Sequence, residues 1–460
     1  MHLSFASSRS LLALWLVVGL SGCATEEPSE RAGAPADDWA AGEEESDLQS
    51  SRSNPAASFP ADVAVRIGIT TADVVRLSKL PPPLASRVFG YVGVALHEAV
   101  LPGIQGEISF ASRLTGLSAP PRLKPSRNFD WRLAAAFAGT QVLAELVGDP
   151  AARAAAESRY ASIREELEAR GLDPQTKART EAYARAVADN VLARAGRDGF
   201  ADRASRPYAP PDGDVAWVPT ANRLPALEPG WGGLQPWAMP TGDACLPGAP
   251  PAYSIEVGSA FRREAEAVYE ASRSLTAAQR EIALYWADGP GATSTPPGHW
   301  WELAGQLASE RKLDLATAAR LYGALGVTVA DAFISCWNAK YKYGILRPET
   351  YIQRTLDASW KPLLTTPPFP EYSSGHSTVS SAASEVMAAF FGARTPFTDR
   401  VHVALEMTPR TFGSFADAAE EAAASRLYGG IHYPMGNRAG LTQGACVSSF
   451  VREAKILPEP

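Results

Sequence analysis

Residues Pro367 to Phe391 read PPFPEYSSGHSTVSSAASEVMAAFF. Prolines at 367, 368 and 370 keep the first part out of a helix, because each lacks an N–H and restricts the residue before it. From His376 onward a run of small and apolar residues forms helix readily, so Ser374 and Gly375 fall at a helix start. Unpaired N–H groups and the helix dipole make such a start attractive to an anion. Working outward, apolar residues recur at three- and four-residue spacing between Pro and Gly breaks, the pattern of helices joined by loops. Helices are expected over 84–101, 131–147, 150–170, 174–195, 258–272, 276–287, 298–309, 314–342, 376–391, 415–431 and 436–453. No convincing alternating β pattern appears, and the fold class expected is all-α. Between Ala201 and Tyr253, Pro, Gly and Trp occur without periodicity, which predicts a long ordered loop packed on the helices, since aromatic residues seek burial.

Two further segments belong with the first. Lys340 stands seven residues before Arg347-Pro348, in the last turns of the expected 314–342 helix, with Pro348 ending that helix or sitting just beyond it. Ser425-Arg426 stands just before Leu427-Tyr428-Gly429-Gly430-Ile431-His432, where the Gly pair permits close backbone approach. Taken singly, each segment reads as a solvated helix face, a cap or a chance spacing. Their joint occurrence in this order carries the argument.

Together the three segments resemble the signature of the vanadium-dependent haloperoxidase and type 2 phosphatidic acid phosphatase superfamily: K-x6-R-P, then P-S-G-H, then S-R-x5-H-x3-D. Lys340, Arg347, Pro348, Ser374, Gly375, His376, Ser425, Arg426 and His432 match it. The tight resemblance covers 315–451, and 81–102 and 295–301 resemble the soluble members in a general way. Two positions depart. Ser373 replaces the usual Pro, which loosens the loop without removing a catalytic atom. Gly436 replaces the usual Asp four residues after the second His. A ligating or nucleophilic His needs a partner on its other nitrogen, Asn437 is displaced by one residue, and a backbone carbonyl is equally available. Without any partner, activity should be weak.

The resemblance implies a helical bundle of the superfamily type with an additional N-terminal helical region, and an oxyanion cradle. Arg347 and Arg426 would grip equatorial oxygens by charge-assisted forks. Lys340 adds a point charge, and the Ser374 hydroxyl and Gly375 N–H complete the cradle. His432 would bind the vanadium of vanadate or attack phosphorus, and His376 would act as general acid or base. One reading is a vanadate-dependent haloperoxidase oxidising halide with peroxide. A second is an acid phosphatase working through a phosphohistidine at the same site with no cofactor. A third is a degenerate, non-catalytic lipoprotein. Lys340, the N-terminal helical region and the lack of membrane spans favour the first. Phe369, seven residues before His376, matches the Phe of chloride-using members, and His299 and Trp300 are expected near the pocket entrance. His97 and His402 read as structural and surface residues.

Composition bounds the rest. A chain of 460 residues can bury a large core, and a hydrophobic share of 46% with 20% charged residues is that of a globular protein rather than a disordered one. A net charge of -7 and a pI near 5.6 supply no basic field for nucleic acid. No internal apolar run reaches the roughly 18 to 20 residues of a bilayer crossing, so the folded part is expected to be soluble. Arg9 and the apolar Leu11 to Leu20 form a signal segment over 1–22. Leu20-Ser21-Gly22-Cys23 resembles a lipobox, which implies acylation of Cys23 and a lipid anchor, with Ala24 pointing to the outer membrane. Residues 23–59, rich in Glu, Asp, Ser, Ala and Pro, read as a disordered tether, followed by an N-terminal helical region over 60–313 and the catalytic domain over 314–460. Of the cysteines beyond Cys23, namely Cys245, Cys336 and Cys446, export allows one disulfide and one free thiol, with the pairing open.

Overall fold

The computed structural model describes residues 55–106, 108–120, 123, 128–205, 208–220 and 224–459. The signal segment, Cys23 and most of the tether lie outside them. The helices are α1 (Asp62–Leu77), α2 (Pro82–Val100), α3 (Trp131–Val147), α4 (Pro150–Ala169), α5 (Pro174–Ala195), α6 (Ala260–Arg273), α7 (Ala277–Tyr285), α8 (Thr295–Glu310), α9 (Leu315–Tyr343), α10 (Pro348–Thr355), α11 (Gly375–Phe391), α12 (Phe415–Tyr428) and α13 (Pro434–Glu453). An antiparallel pair, β1 (Phe397–Asp399) with β2 (Arg410–Phe412), forms the sheet found among the described residues. The protein is all-α, as its sequence implies.

Aspartates set many of the helix starts. Asp130, Asp149, Asp173 and Asp314 each accept hydrogen bonds from first-turn N–H groups of α3, α4, α5 and α9, which satisfies donors that have no partner inside the helix. Gly148 and Gly344, at φ 69° and 57°, close α3 and α9. Pro348 sits beyond the end of α9, one of the two places expected for it, and begins α10, because its missing N–H is harmless at a first position. Two expectations need correction. Helix α1 was not anticipated. Residues 55–59, expected in the tether, pack on the fold: Ala56 is buried, Phe59 lies under the Arg132 guanidinium at 4.4 Å, and the Phe59 carbonyl accepts from Leu315 N.

Helix α2 runs through the core. Residues 82–103 are long and apolar enough to cross a bilayer by length and composition, contrary to the sequence expectation, yet they are buried among the other helices. Helix α9 crosses α2 so closely that a Cβ on Gly93 would run into the Tyr322 carbonyl. Helices α11 and α13 meet in the same way, since a Cβ on Gly440 would sit 2.7 Å from the Ser374 carbonyl. That approach brings the starts of α11 and α13 together.

The loop over 201–253 is ordered where it is described, and α9 holds it. The buried Asp331 carboxylate accepts from the backbone N–H groups of Trp237, Ala238 and Met239 at 2.7, 2.8 and 3.0 Å. Trp231 and Trp237 are buried. A Cys245–Cys446 disulfide ties the loop to α13 and leaves Cys336 as a buried free thiol.

Candidate active site

Four chain segments deliver the site. Lys340 lies in the last turn of α9, Arg347 caps α10, Ser374 caps α11 with Gly375 and His376 in its first turn, and Arg426 ends α12 with His432 in the turn before α13. Gly375, His376, Arg426, His432 and Phe369 line one cavity of about 520 Å³ whose walls include Phe333, Trp337, Leu227 and several prolines. Arg347 touches this group through His432, with Nη1 3.1 Å from His432 Nε2. It also donates from Nε to the Phe369 carbonyl and from Nη1 to the Ile431 carbonyl, at 2.8 Å each. Its Nη2 is buried with no partner among the described residues, as is Nε2 of His376. Arg426 donates to the Ser425 hydroxyl at 3.0 Å and to the Trp286 carbonyl.

Lys340 sits behind the cavity. Its ammonium donates to the carbonyls of Pro370, Glu371 and Ser373 and so braces the loop before α11. Ser374 also faces inward, its hydroxyl accepting from the Ser377 N–H and its N–H donating to the Gly436 carbonyl at 3.0 Å. Cys23 is outside the described residues.

The partner sought at position 436 comes from elsewhere. Nδ1 of His432 lies 2.7 Å from Glu371 Oε1, and the Tyr433 N–H donates to the same oxygen at 3.1 Å. A protonated guanidinium can only donate, so Arg347 requires Nε2 of His432 to be an acceptor, and the ring proton then sits on Nδ1, facing Glu371. Two independent neighbours impose one tautomer.

Burial dominates the electrostatics. It pushes Lys340 down to about 8 and Arg347 and Arg426 down to about 10, so all three stay protonated at neutral pH. Burial, then the Arg426 charge, holds His376 well below the ordinary imidazole range. Burial, then Arg347 and Lys340, does the same to His432. Glu371 is raised to about 7 by burial, against the pull of Lys340 and Arg347.

His299 and Trp300 do not line the cavity. Trp300 Nε1 donates to the Ser380 hydroxyl on α11 at 3.0 Å. His299 is fully enclosed, with Nδ1 3.2 Å from Asp288 and Nε2 2.7 Å from Asp399. His402 is buried rather than on the surface, its Nε2 3.0 Å from the same Asp288, a carboxylate that does line the cavity. Asp288, His299 and His402 offer ligand atoms within 4.8 Å of one another. Both ring nitrogens of His299 face carboxylates, however, and its ring stacks on Trp286 at 4.4 Å, which is the setting of an imidazolium. Burial alone would lower its pKa, but Asp288 and Asp399 outweigh that and hold it well above the usual range.

A bacterial vanadium-dependent iodoperoxidase of known structure shares 34% sequence identity with this chain over 86% of it and 96% of that protein, at a TM-score of 0.80. The chain belongs to the vanadium haloperoxidase family. Residues 320–455 also match the family model for the VCPO second helical-bundle domain. A bacterial vanadium-dependent chloroperoxidase, 16% identical over 82% of this chain and 94% of its own, has the same fold at a TM-score of 0.58. The vanadium chloroperoxidase of Curvularia inaequalis is 28% identical over 25% of this chain and 23% of its own, so the alignment spans about a quarter of that relative. Members of this family are enzymes of the phosphatidic acid phosphatase superfamily, and the matched 320–455 segment carries Lys340 through His432.

Proposed function

We propose that this haloperoxidase-family enzyme binds vanadate at His432 and oxidises halide with hydrogen peroxide, iodide first among the halides. The observation that carries the reading is His432 on the cavity wall with Nε2 deprotonated, an acceptor held toward Arg347 in the tautomer that Glu371 and Arg347 require. The cradle suits a tetrahedral oxyanion. Arg347 Nη2 is a buried donor with no partner, Arg426 lies on the same cavity, and the start of α11 opens into it at Gly375. Vanadate, when bound, would activate peroxide toward nucleophilic halide while staying oxidised. Arg347, Arg426 and His432 would hold it. Lys340, with its donors on three carbonyls, would fix the loop and add charge from behind.

His376 would accept a proton from the incoming peroxide at Nε2. Burial keeps that nitrogen neutral and open, which suits a base better than an acid. A phosphatase at this site would need His376 protonated to release an alcohol, a form that a bound phosphate dianion would favour, so ester hydrolysis is the alternative tested below. Iodide is proposed from the 34% identical relative, an iodoperoxidase, and from the ease of its oxidation. The Cys245–Cys446 bond supports an exported enzyme in an oxidising compartment, with Cys23 as the proposed lipid anchor.

The test is peroxide-dependent oxidation of iodide, bromide and chloride after incubation with orthovanadate, beside a His432→Ala control. Vanadate-dependent iodide turnover absent from the control is the expected result. Hydrolysis of phosphate esters without halide turnover would replace this reading with the phosphatase one. Incorporation of labelled palmitate, abolished by Cys23→Ser, tests the anchor.

A further inference from the structure

The geometry points to Glu371 as the positioning residue of His432, taking from the α11 approach loop the place that a carboxylate on α13 would fill, with Gly436 as the space that admits it. The inference rests on the reading of His432 as the oxyanion ligand and adds the group that aims it.

Three observations converge. First, Tyr433 is the N-cap of α13 and Gly436 its third residue. An acidic side chain at that third position ordinarily reaches back to the N-cap N–H. Here the Tyr433 N–H is met by Glu371 Oε1 instead, and the same oxygen meets His432 Nδ1. One oxygen from outside the helix therefore performs both tasks of a carboxylate at 436. It also lies where the helix dipole favours negative charge.

Second, the exchange is sterically exclusive. A Cβ on residue 436 would press into Glu371 Oε1 and lie 2.9 Å from both Oε2 and the carboxyl carbon. Any side chain at 436 would have to push the Glu371 carboxylate aside.

Third, the loop that carries Glu371 is held on both sides. Its N–H donates to the Ile345 carbonyl at 2.9 Å, and Lys340 grips its carbonyl and those of Pro370 and Ser373. Such support is what fixes a side chain closely enough to orient a ligand. Sequence spacing alone shows no carboxylate at 436, whereas the fold brings the Glu371 carboxylate to His432 Nδ1 from the loop before α11.

The experiment uses the full chain, labelled with ¹⁵N histidine and free of vanadate, with His432→Ala to assign the resonances. Wild type should show His432 protonated at Nδ1, with that proton shifted downfield and slow to exchange because Glu371 accepts it. Arg347 still favours the Nδ1–H form in Glu371→Ala, so the loss expected there is of the downfield shift and slow exchange, with vanadate binding weakened by about 10- to 100-fold, while Glu371→Gln, which keeps the accepting oxygen, should retain both within several-fold. Gly436→Asp alone should bind poorly. The double variant Glu371→Ala/Gly436→Asp should recover the downfield Nδ1 proton and most of the affinity, a rescue that a merely structural role for Glu371 would not produce. A downfield, slowly exchanging Nδ1 proton unchanged in folded Glu371→Ala, or a folded double variant no better than Glu371→Ala, overturns the inference. A proton signal that follows the predicted series in a protein that binds no vanadate in any form would support the positioning role and sink the haloperoxidase reading instead.

Discussion

Nε2 of His299 lies 2.7 Å from Asp399 Oδ2, at a point where neither group meets solvent. Asp288 closes the other side of the ring and takes a second contact from His402. Two buried carboxylates with a single neutral imidazole between them would be costly, so the ring carries a proton, and stacking on Trp286 favours that cation further.

The first prediction follows from this pair. His299 has its folded pKa raised above the unfolded value of about 6.5, so its contribution to stability is complete below that value and is lost as pH rises through the raised folded value. Asp288 and Asp399 are lowered, the histidines outweighing burial, so their contribution holds above about 3.8 and fades as pH falls through the lowered values. His299→Gln should cost about 3 to 5 kcal/mol near pH 6, with the difference from wild type shrinking in alkaline buffers. Urea unfolding across pH 5 to 10 measures it, and a gap that widened with pH would contradict the imidazolium.

A second prediction concerns Asp331, whose carboxylate accepts three consecutive N–H groups of the loop. Asp331→Ala would strand these buried donors, at about 1 to 3 kcal/mol for each one left unpaired. A loss of several kcal/mol in unfolding free energy is expected, with a smaller loss for Asp331→Asn, which keeps one accepting oxygen. Since Leu227 of the same loop walls the cavity, protease sensitivity near that residue should rise in parallel.

What the sequence revealed and what it hid divide along physical lines. Helices α3 and α5 begin where Asp130 and Asp173 cap them and end as read, because caps are local signals. Helix α1 escaped notice although its buried Val63, Ile67, Thr71 and Val74 keep helical spacing, because its many Val, Ile and Thr residues are weak helix formers. The order of short motifs singles out Lys340, Arg347, His376, Arg426 and His432, and the fold brings both His and Arg426 to one cavity, with Arg347 against His432 and Lys340 behind. The partners were not legible. Asp399 lies 100 residues from His299, and Glu371 lies 61 from His432, so only tertiary packing joins them. Gly436 was the one available hint, a vanished side chain in a place that requires a carboxylate.

The disulfide supplies a third prediction. Cys245–Cys446 closes a separation of 201 residues, and chain-entropy reasoning assigns about 2 to 5 kcal/mol to such a link. Cys446→Ser should lower the unfolding free energy by that amount. Reductant should do the same to wild type and leave the variant unmoved. A variant as stable as wild type would mean that Asp331 and the buried tryptophans hold the loop without help.

Arg347 is where geometry and proposed chemistry meet, and it gives the last prediction. Its Nη1 holds His432 Nε2 and the Ile431 carbonyl, its Nε holds the Phe369 carbonyl, and Nη2 alone remains without a partner. A lysine keeps the charge but has no planar fork, so it cannot reproduce these bonds and still present a donor to the cavity. A charge-assisted hydrogen bond contributes about 1.5 to 3 kcal/mol, so Arg347→Lys should weaken vanadate binding by about 10- to 100-fold. Equilibrium dialysis of vanadate measures this directly, and orthophosphate run beside it shows whether the loss is general to tetrahedral oxyanions, as a cradle of this kind requires. A loss below twofold for both anions would remove Arg347 from the cradle and leave Arg426 and the start of α11 to hold the oxygens.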